Sequence, residues 1–207
     1  MLFLSFGLAS IVLLCLVWRI ACTKYNIPWP YWLAWWLENP YMVVFCPPKR
    51  IVRLAGVDRG KSVLELGCGA GRITFPMARK SQTSPVVGLD FQLGMLRLFQ
   101  KRQKKEKLQN ISCIQANIFK DPLPEGVFDI VCIVTVLGEI PDYGQVFHKL
   151  KGVLADDGII SITEVLPDPC YIPSWRLRKE MEDAGFQHLK TFRNLVSYTM
   201  NFQRPDC

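Results

Sequence analysis

The stretch VLELGCGAGRIT (63–74) decides the fold of this 207-residue chain. Its first four residues form an apolar run typical of a buried strand, and Gly67, Gly69 and Gly71 follow directly, before a helix predicted to begin at Arg72. Glycine lets the backbone turn sharply and approach a ligand, and a helix N-terminus presents free N–H groups. The order of strand, glycine turn and helix therefore predicts a ligand-binding turn at the start of an α/β domain.

Apolar strands and helices alternate along the rest of the chain. Strands are predicted at 62–66, 85–90, 111–116, 128–136, 158–165, 188–193 and 197–203, and helices at 72–79, 94–107, 145–154 and 174–184. Apolar strands separated by helices predict a parallel sheet covered on both faces, and the short turn before the last strand predicts an antiparallel hairpin. The predicted fold class is α/β: a Rossmann-like, doubly wound sheet of seven strands, mostly parallel, with a C-terminal antiparallel hairpin.

An acid follows the glycine turn at the end of the next strand. Asp90 lies nineteen residues after Gly71, where a carboxylate can accept hydrogen bonds from ribose hydroxyls. The third glycine of the dinucleotide fingerprint is replaced by Arg72, which argues against NAD or FAD. The pattern thus predicts a nucleoside site, with an N-cap of the next helix as the alternative role of Asp90.

Together these motifs resemble the class I S-adenosylmethionine-dependent methyltransferases, of the small type similar to ubiquinone and menaquinone methyltransferases. The resemblance spans roughly residues 47–205 and includes VVGLD (86–90), QANIFKDPLPEGVFDIV (115–131), VLGEIPD (136–142), LADDGIISITEVLPDP (154–169) and AGF (184–186). It implies S-adenosylmethionine as the cofactor, methyl transfer to a small acceptor, and no metal.

The resemblance also implies which residues bind the cofactor. They are Glu65, Gly67, Cys68, Gly69, Gly71, Asp90, Phe91, Asn117, Ile118 and Thr135. The glycines would line the methionine part, with Glu65 contacting its amino group, Asp90 holding the ribose and Phe91 flanking the adenine. Asn117 departs from the acid of related enzymes, although its amide oxygen could accept a hydrogen bond from the adenine amine. Cys68 is expected to be a small filler and not a reactive thiol.

The acceptor is expected above the carboxyl ends of the central strands. Methyl transfer depends mainly on positioning, and a base is needed only for acceptors that must lose a proton. Glu139, Asp142 and Glu164 are the candidate catalytic residues. For each of them a helix cap, a salt bridge or a solvated loop is the alternative.

The N-terminus is uncharged from residue 1 to 18. Eighteen helical residues reach roughly 27 Å, close to the thickness of the hydrocarbon core, so residues 1–23 are predicted to be a transmembrane anchor. A cleavable signal peptide is the alternative. The basic residues Arg19, Lys24 and Lys49 lie on the C-terminal side, which predicts a single-pass membrane protein with its catalytic domain in the cytoplasm.

Four tryptophans follow within residues 24–46, which are predicted to be an interfacial segment before a domain at 47–207. Trp32, Trp35 and Trp36 have the spacing of one helical face, and indole rings favour the headgroup region of a bilayer. The alternative is that they pack as ordinary core. Because no inserted domain covers the site, this segment is expected to supply the cover, which favours a lipophilic acceptor such as a quinone precursor or a lipid headgroup.

The net charge of +7 does not by itself distinguish an anionic membrane surface, a nucleic acid and an acidic substrate as the partner. The basic cluster at 97–107 has no interleaved aromatic residues after Phe99, so a solvated helix face or contact with anionic lipid is favoured over RNA binding. Nucleic acid is therefore the least favoured partner, and the bilayer and a small lipophilic substrate are the predicted ones. A membrane-tethered S-adenosylmethionine-binding module without catalysis is the alternative function. The sequence indicates no oligomeric state.

Overall fold

The computed structural model describes residues 20, 25, 28–166 and 168–204. The predicted anchor at 1–23 therefore lies, apart from Ile20, outside the described residues. Within the described part of the chain, no helix combines the length and the hydropathy that crossing a bilayer requires.

Strands and helices alternate as the sequence predicts. The strands are β1 Val63–Leu66, β2 Val86–Asp90, β3 Ile111–Gln115, β4 Phe128–Val134, β5 Leu154–Val165, β6 Gln187–Arg193 and β7 Ser197–Gln203. The α-helices are α1 Pro40–Phe45, α2 Pro48–Leu54, α3 Thr74–Ser81, α4 Leu93–Glu106, α5 Tyr143–Leu150 and α6 Ser174–Asp183, and 3-10 helices span Tyr31–Glu38 and Leu137–Glu139.

The seven strands form one sheet in the order β3-β2-β1-β4-β5-β7-β6. The first five strands in this order are parallel, and β7 is antiparallel to both β5 and β6. The predicted Rossmann-like sheet with a C-terminal antiparallel hairpin is confirmed. Because β1 pairs with both β2 and β4, the strand order reverses there, and ligands of such sheets bind at the carboxyl ends beside this reversal.

The hydrophobic core lies in two layers, one on each face of the sheet. Side chains such as Leu64 and Phe147 pack in the layer under α5 and α6, and Phe75 and Phe99 pack in the layer under α2, α3 and α4. Alternate residues of β1 point into opposite layers, which buries the strand on both faces and explains its continuous apolar run.

Several boundaries differ from the prediction for local reasons. Strand β4 ends at Val134, two residues early, because Thr135 has a φ of +52° and leaves the extended conformation. The helix predicted at 145–154 instead spans Tyr143–Leu150, because Asp142 caps its start and Leu154 already pairs with Phe128.

Candidate active site

A cavity of about 1130 Å³ lies at the carboxyl ends of β1, β2 and β4, where the strand order reverses. Its walls are the glycine turn, the residues that follow β2 and β4, and the N-terminal segment 28–42. Ligand pockets for a single small molecule typically measure about 300–1,000 Å³. The cavity therefore has room for a cofactor and a second small molecule.

The glycine turn fits closely against its neighbours. Gly67 has a φ of +71°, and a Cβ there would lie 2.8 Å from Cγ1 of Val136 and closer still to Cγ2. Cys68 is buried against Gly88, where an added Cβ would lie 2.8 Å from the thiol sulfur. Burial raises the pKa of the Cys68 thiol well above its usual value, so the thiol stays protonated and is a poor nucleophile.

Asp90 fixes the glycine turn to the start of α4. One carboxylate oxygen accepts a hydrogen bond from the Gly69 N–H, and the other accepts one from the Gln92 N–H, each at 2.8 Å. Burial raises the pKa of Asp90. Because each carboxylate oxygen has a further lone pair, the side chain can still accept hydrogen bonds from ribose hydroxyls.

Glu65 is fully buried on β1 and accepts a hydrogen bond from the Thr74 hydroxyl. Burial raises its pKa to about 8, while Thr74 and the nearby positive charge of Arg72 act in the opposite direction. A buried carboxyl group in the cavity wall beside the glycine turn suits a positively charged ligand group, since such a group would stabilise the carboxylate.

The Glu65→Gln variant is expected to unfold with a weaker pH dependence than the parent protein. The folded pKa of about 8 exceeds the ordinary value of 4.5, so the unfolded state releases this proton first and stability falls as pH rises from 4.5 to 8. The loss amounts to at most about 5 kcal/mol. Glutamine keeps an acceptor for Thr74 and has no proton to lose. Urea unfolding at several pH values measures the slope, and identical slopes in both proteins would contradict this expectation.

Among the residues predicted to contact the adenine, Asn117 already makes hydrogen bonds within its own loop. Phe91 and Ile118 line the cavity, and Phe91 is 45% exposed. Asn117 also lines it, but its amide oxygen accepts hydrogen bonds from the N–H groups of Phe119 and Lys120, at 3.0 and 3.1 Å. Both lone pairs of that oxygen thus hold the loop, which leaves it a poor acceptor for the adenine amine.

Of the three candidate catalytic carboxyl groups, Glu139 lines the cavity. It accepts a hydrogen bond from the Trp29 N–H at 3.3 Å. Burial and the negative charge of Asp168, which also lines the cavity, raise the pKa of Glu139 to about 8. Thr135 lies nearby on the cavity wall, and its hydroxyl donates to the Val134 carbonyl at 2.8 Å.

Asp142 and Glu164 are not among the described residues that line the cavity. Asp142 is exposed and caps α5 by accepting from the Gln145 N–H, which matches the alternative role of a helix cap. Glu164 is buried on β5, and its Oε1 has no hydrogen-bond partner among the described residues. Burial raises the pKa of Glu164 well above its usual value, and the negative charge of Asp168 acts in the same direction.

The N-terminal segment is fastened over the cavity by hydrogen bonds that sequence patterns did not reveal. Arg72 donates to the carbonyls of Met42 and Cys46, and Gln92 donates to the Trp29 carbonyl at 2.8 Å. These contacts confirm that the segment covers the site. In the sequence Arg72 stands where the dinucleotide fingerprint has its third glycine, and that pattern predicts no contact with the N-terminal segment.

The N-terminal segment 28–46, called the cover below, also contacts the domain at Gly94 of α4. An added Cβ at Gly94 would lie 2.5–2.8 Å from the Tyr31 ring, so this close approach requires glycine. Gly152 is a suitable comparison, since an added Cβ there makes only an ordinary contact at 3.5 Å.

The Gly94→Ala variant is therefore expected to displace the cover and to raise the acceptor KM about tenfold, a loss of ~1.4 kcal/mol, with cofactor affinity unchanged. Alanine should favour the helix itself, so the protein should not unfold. Steady-state kinetics and limited proteolysis of the cover measure the effect. Equal KM values for Gly94→Ala and Gly152→Ala would show that the contact with Tyr31 is not needed.

Comparisons with known proteins identify relatives of this domain. A family model described as a methyltransferase domain matches residues 57–195. The chain is 30% identical over 142 residues to a demethylmenaquinone methyltransferase of Listeria welshimeri, which covers 68% of this chain and 58% of that protein. It is 35% identical over 138 residues to a demethylmenaquinone methyltransferase of Lactococcus lactis, covering 66% of this chain and 53% of that protein. The chain thus spans little more than half the length of these relatives.

Solved structures share the fold. A SAM-dependent methyltransferase from Aquifex aeolicus superposes with a TM-score of 0.77 at 19% identity, covering 84% of this chain and 98% of that one. A glycopeptide N-methyltransferase complexed with sinefungin superposes with a TM-score of 0.66 at 14% identity, covering 78% of this chain and 86% of that one. With the family match extending over more than half of the residues, the chain belongs to the methyltransferase-domain family of S-adenosylmethionine-dependent enzymes.

Proposed function

We propose that this protein transfers the methyl group of S-adenosylmethionine to a small lipophilic acceptor related to quinones. The observation that carries the proposal is a single cavity in which the glycine turn, an aromatic cover and the carboxyl group of Glu139 meet. The similarity to demethylmenaquinone methyltransferases supports a quinone-related acceptor. The cavity volume supports the presence of two molecules, since it exceeds the usual size of a pocket for one.

The residues at the cofactor end fit the chemistry of S-adenosylmethionine. Positive φ values at Gly67, Gly69 and Gly71 leave room for close approach, and the buried carboxyl groups of Glu65 and Asp90 suit an amino group and ribose hydroxyls. The remaining proposed cofactor contacts are Cys68, Phe91, Asn117, Ile118 and Thr135, all on the cavity wall. When bound, the cofactor supplies a sulfonium methyl group that a nucleophile can displace.

Glu139 is the proposed base at the acceptor end. A reduced, quinol-type acceptor loses one proton for each methyl group that it gains, and a phenolic hydroxyl has an ordinary pKa of about 10. A carboxyl with a pKa of about 8 is better matched to that proton than an ordinary glutamate. The aromatic cover would exclude water from the reacting groups. Asp142 and Glu164 stand outside the cavity, so no catalytic role is proposed for them.

The proposal includes attachment to a membrane. The uncharged residues 1–18 and the basic residues that follow them support a single anchor at 1–23, with the domain at 47–207 on the cytoplasmic side. Residues 24–46 would lie between anchor and domain at the interface. A membrane location would supply the enzyme with an acceptor that partitions into lipid.

Transfer of label from radiolabelled S-adenosylmethionine tests the proposed function. The full chain is incubated with vesicles containing a reduced naphthoquinone that carries an isoprenoid tail, and the organic extract is counted. We expect label in the methylated quinone, and far less of it with the Gly67→Ala variant when the concentration of S-adenosylmethionine is limiting. Binding of the cofactor with no label in this extract, or in an extract of whole membranes, would replace the proposal with a binding module that does not catalyse transfer.

A further inference from the structure

We propose that the outer side of the cover docks on an anionic lipid bilayer, beside the route by which the acceptor enters the cavity. We name this surface the aromatic face, and it consists of Tyr31, Trp32, Trp35, Trp36, Val43 and Val44. The proposal deepens the proposed function, on which its account of acceptor entry rests.

The aromatic face exposes large apolar side chains. Trp32 and Trp35 are each 65% exposed and Val44 is 66% exposed, and the 3-10 helix Tyr31–Glu38 contains no buried residue. The alternative that these tryptophans pack as ordinary core is therefore wrong. Adjacent exposed apolar side chains indicate an interaction surface, and indole rings favour the boundary between headgroups and acyl chains.

The backbone under the aromatic face is held firmly on the domain. Phe45 accepts a hydrogen bond at its carbonyl from the Asn194 side chain at 2.8 Å, and the Tyr41 hydroxyl donates to the Leu166 carbonyl. With the bonds from Arg72 and Gln92, these contacts fasten both ends of the segment. The exposed tryptophans thus lie on a backbone that is fixed to the domain, so this backbone would lose little conformational freedom on docking.

The positive charge of helix α4, which packs against the 3-10 helix Tyr31–Glu38, favours an anionic bilayer as the partner. Helix α4 packs against the 3-10 helix, and Arg102 lies 3.4 Å from Glu38. The exposed basic residues of this helix and its end are Arg97, Lys101, Lys104, Lys105 and Lys107. A basic residue near an anionic membrane surface contributes about 1 kcal/mol to binding. The uncharged residues 1–18, which precede this surface in the sequence, point to the same partner.

The aromatic face also continues into the cavity wall. Trp35 and Trp36 are exposed and line the cavity, and their rings contact edge to face at 5.6 Å between centroids. A lipophilic molecule could therefore pass between bilayer and cavity along these rings without crossing water. Trp32 does not belong to the cavity lining within the described residues, so it can report on docking alone.

Two full-length chains with a single tryptophan test the proposal. One keeps Trp32 and the other keeps Trp175, which is 72% exposed on α6, and every other tryptophan is replaced by phenylalanine. Each chain, checked for cofactor binding, is mixed with vesicles of phosphatidylglycerol and brominated phosphatidylcholine. We expect the Trp32 emission to shift to the blue and to lose at least about half its intensity, because the ring enters the zone of the brominated chains. The Trp175 emission should not change.

Equal accessibility of Trp32 to acrylamide with and without vesicles would overturn the proposal. A blue shift of Trp32 that depends on protein concentration in the absence of lipid would also overturn it, since a second copy of the chain would then cover the face. The assay involves no methyl transfer, so failure of docking and failure of the proposed function are distinguishable.

Discussion

Gly67→Ala is expected to weaken the binding of S-adenosylmethionine at least about 100-fold, a loss of ~2.7 kcal/mol. Gly67 has a positive φ, which costs a residue with a Cβ roughly 1–2 kcal/mol. The added Cβ would also overlap the side chain of Val136, so the glycine turn or the loop after β4 must move. Both of these line the cavity. Calorimetric titration with the cofactor measures the effect.

Gly60→Ala is the matched control. Gly60 has a similar φ of +83°, but an added Cβ there would meet no atom within 4 Å. The Gly60→Ala variant should therefore have the backbone strain without a steric clash, and it should bind the cofactor with the affinity of the parent protein. Val136→Ala in the Gly67→Ala background should restore part of the affinity, because it removes the overlapping methyl groups. Equal losses of affinity in Gly60→Ala and Gly67→Ala would mean that strain, and not the clash, governs binding.

The sequence predicts the sheet well because its signals are local. Each central strand is a run of apolar residues. The segments between successive runs are long enough to form a helix but too short to form another domain. The ends of the elements are harder to predict, because they depend on single residues such as Thr135, whose positive φ ends β4. That the glycine turn and Asp90 lie together in the cavity wall was also predictable, since the pairing of β1 with β2 brings the ends of these strands side by side.

The acceptor end could not be assigned in the same way. Trp29 and Glu139 are 110 residues apart in the sequence, and no periodic pattern in the sequence predicts the hydrogen bond between them. The position of a residue near the end of a strand also does not predict whether its side chain points into the cavity. Glu164 and Val165 are neighbours on β5, yet Val165 lines the cavity and Glu164 does not, because successive side chains of a strand point to opposite faces.

Glu139→Gln is expected to lower kcat at least about 100-fold, the usual minimum for loss of a general base. Because the pKa of Glu139 is about 8, the fraction of this residue in the basic carboxylate form increases as the pH rises towards 8 and approaches one well above it. The parent rate should therefore increase with pH and level off above about 8. The glutamine variant should lack this rise, and its cofactor affinity should stay within about twofold, since the role proposed for Glu139 is contact with the acceptor and not with the cofactor.

The design of this variant separates catalysis from structure. Glutamine keeps an oxygen that can accept the hydrogen bond from the Trp29 N–H, so the cover should remain in place. Asp142→Asn is the matched control, because Asp142 is an exposed cap outside the cavity lining and asparagine caps helices equally well. It should retain the parent rate and pH profile. If Glu139→Gln also retains both, Glu139 serves only to hold the cover, and the acceptor must lose its proton to water or to another group such as Asp168, which also lines the cavity.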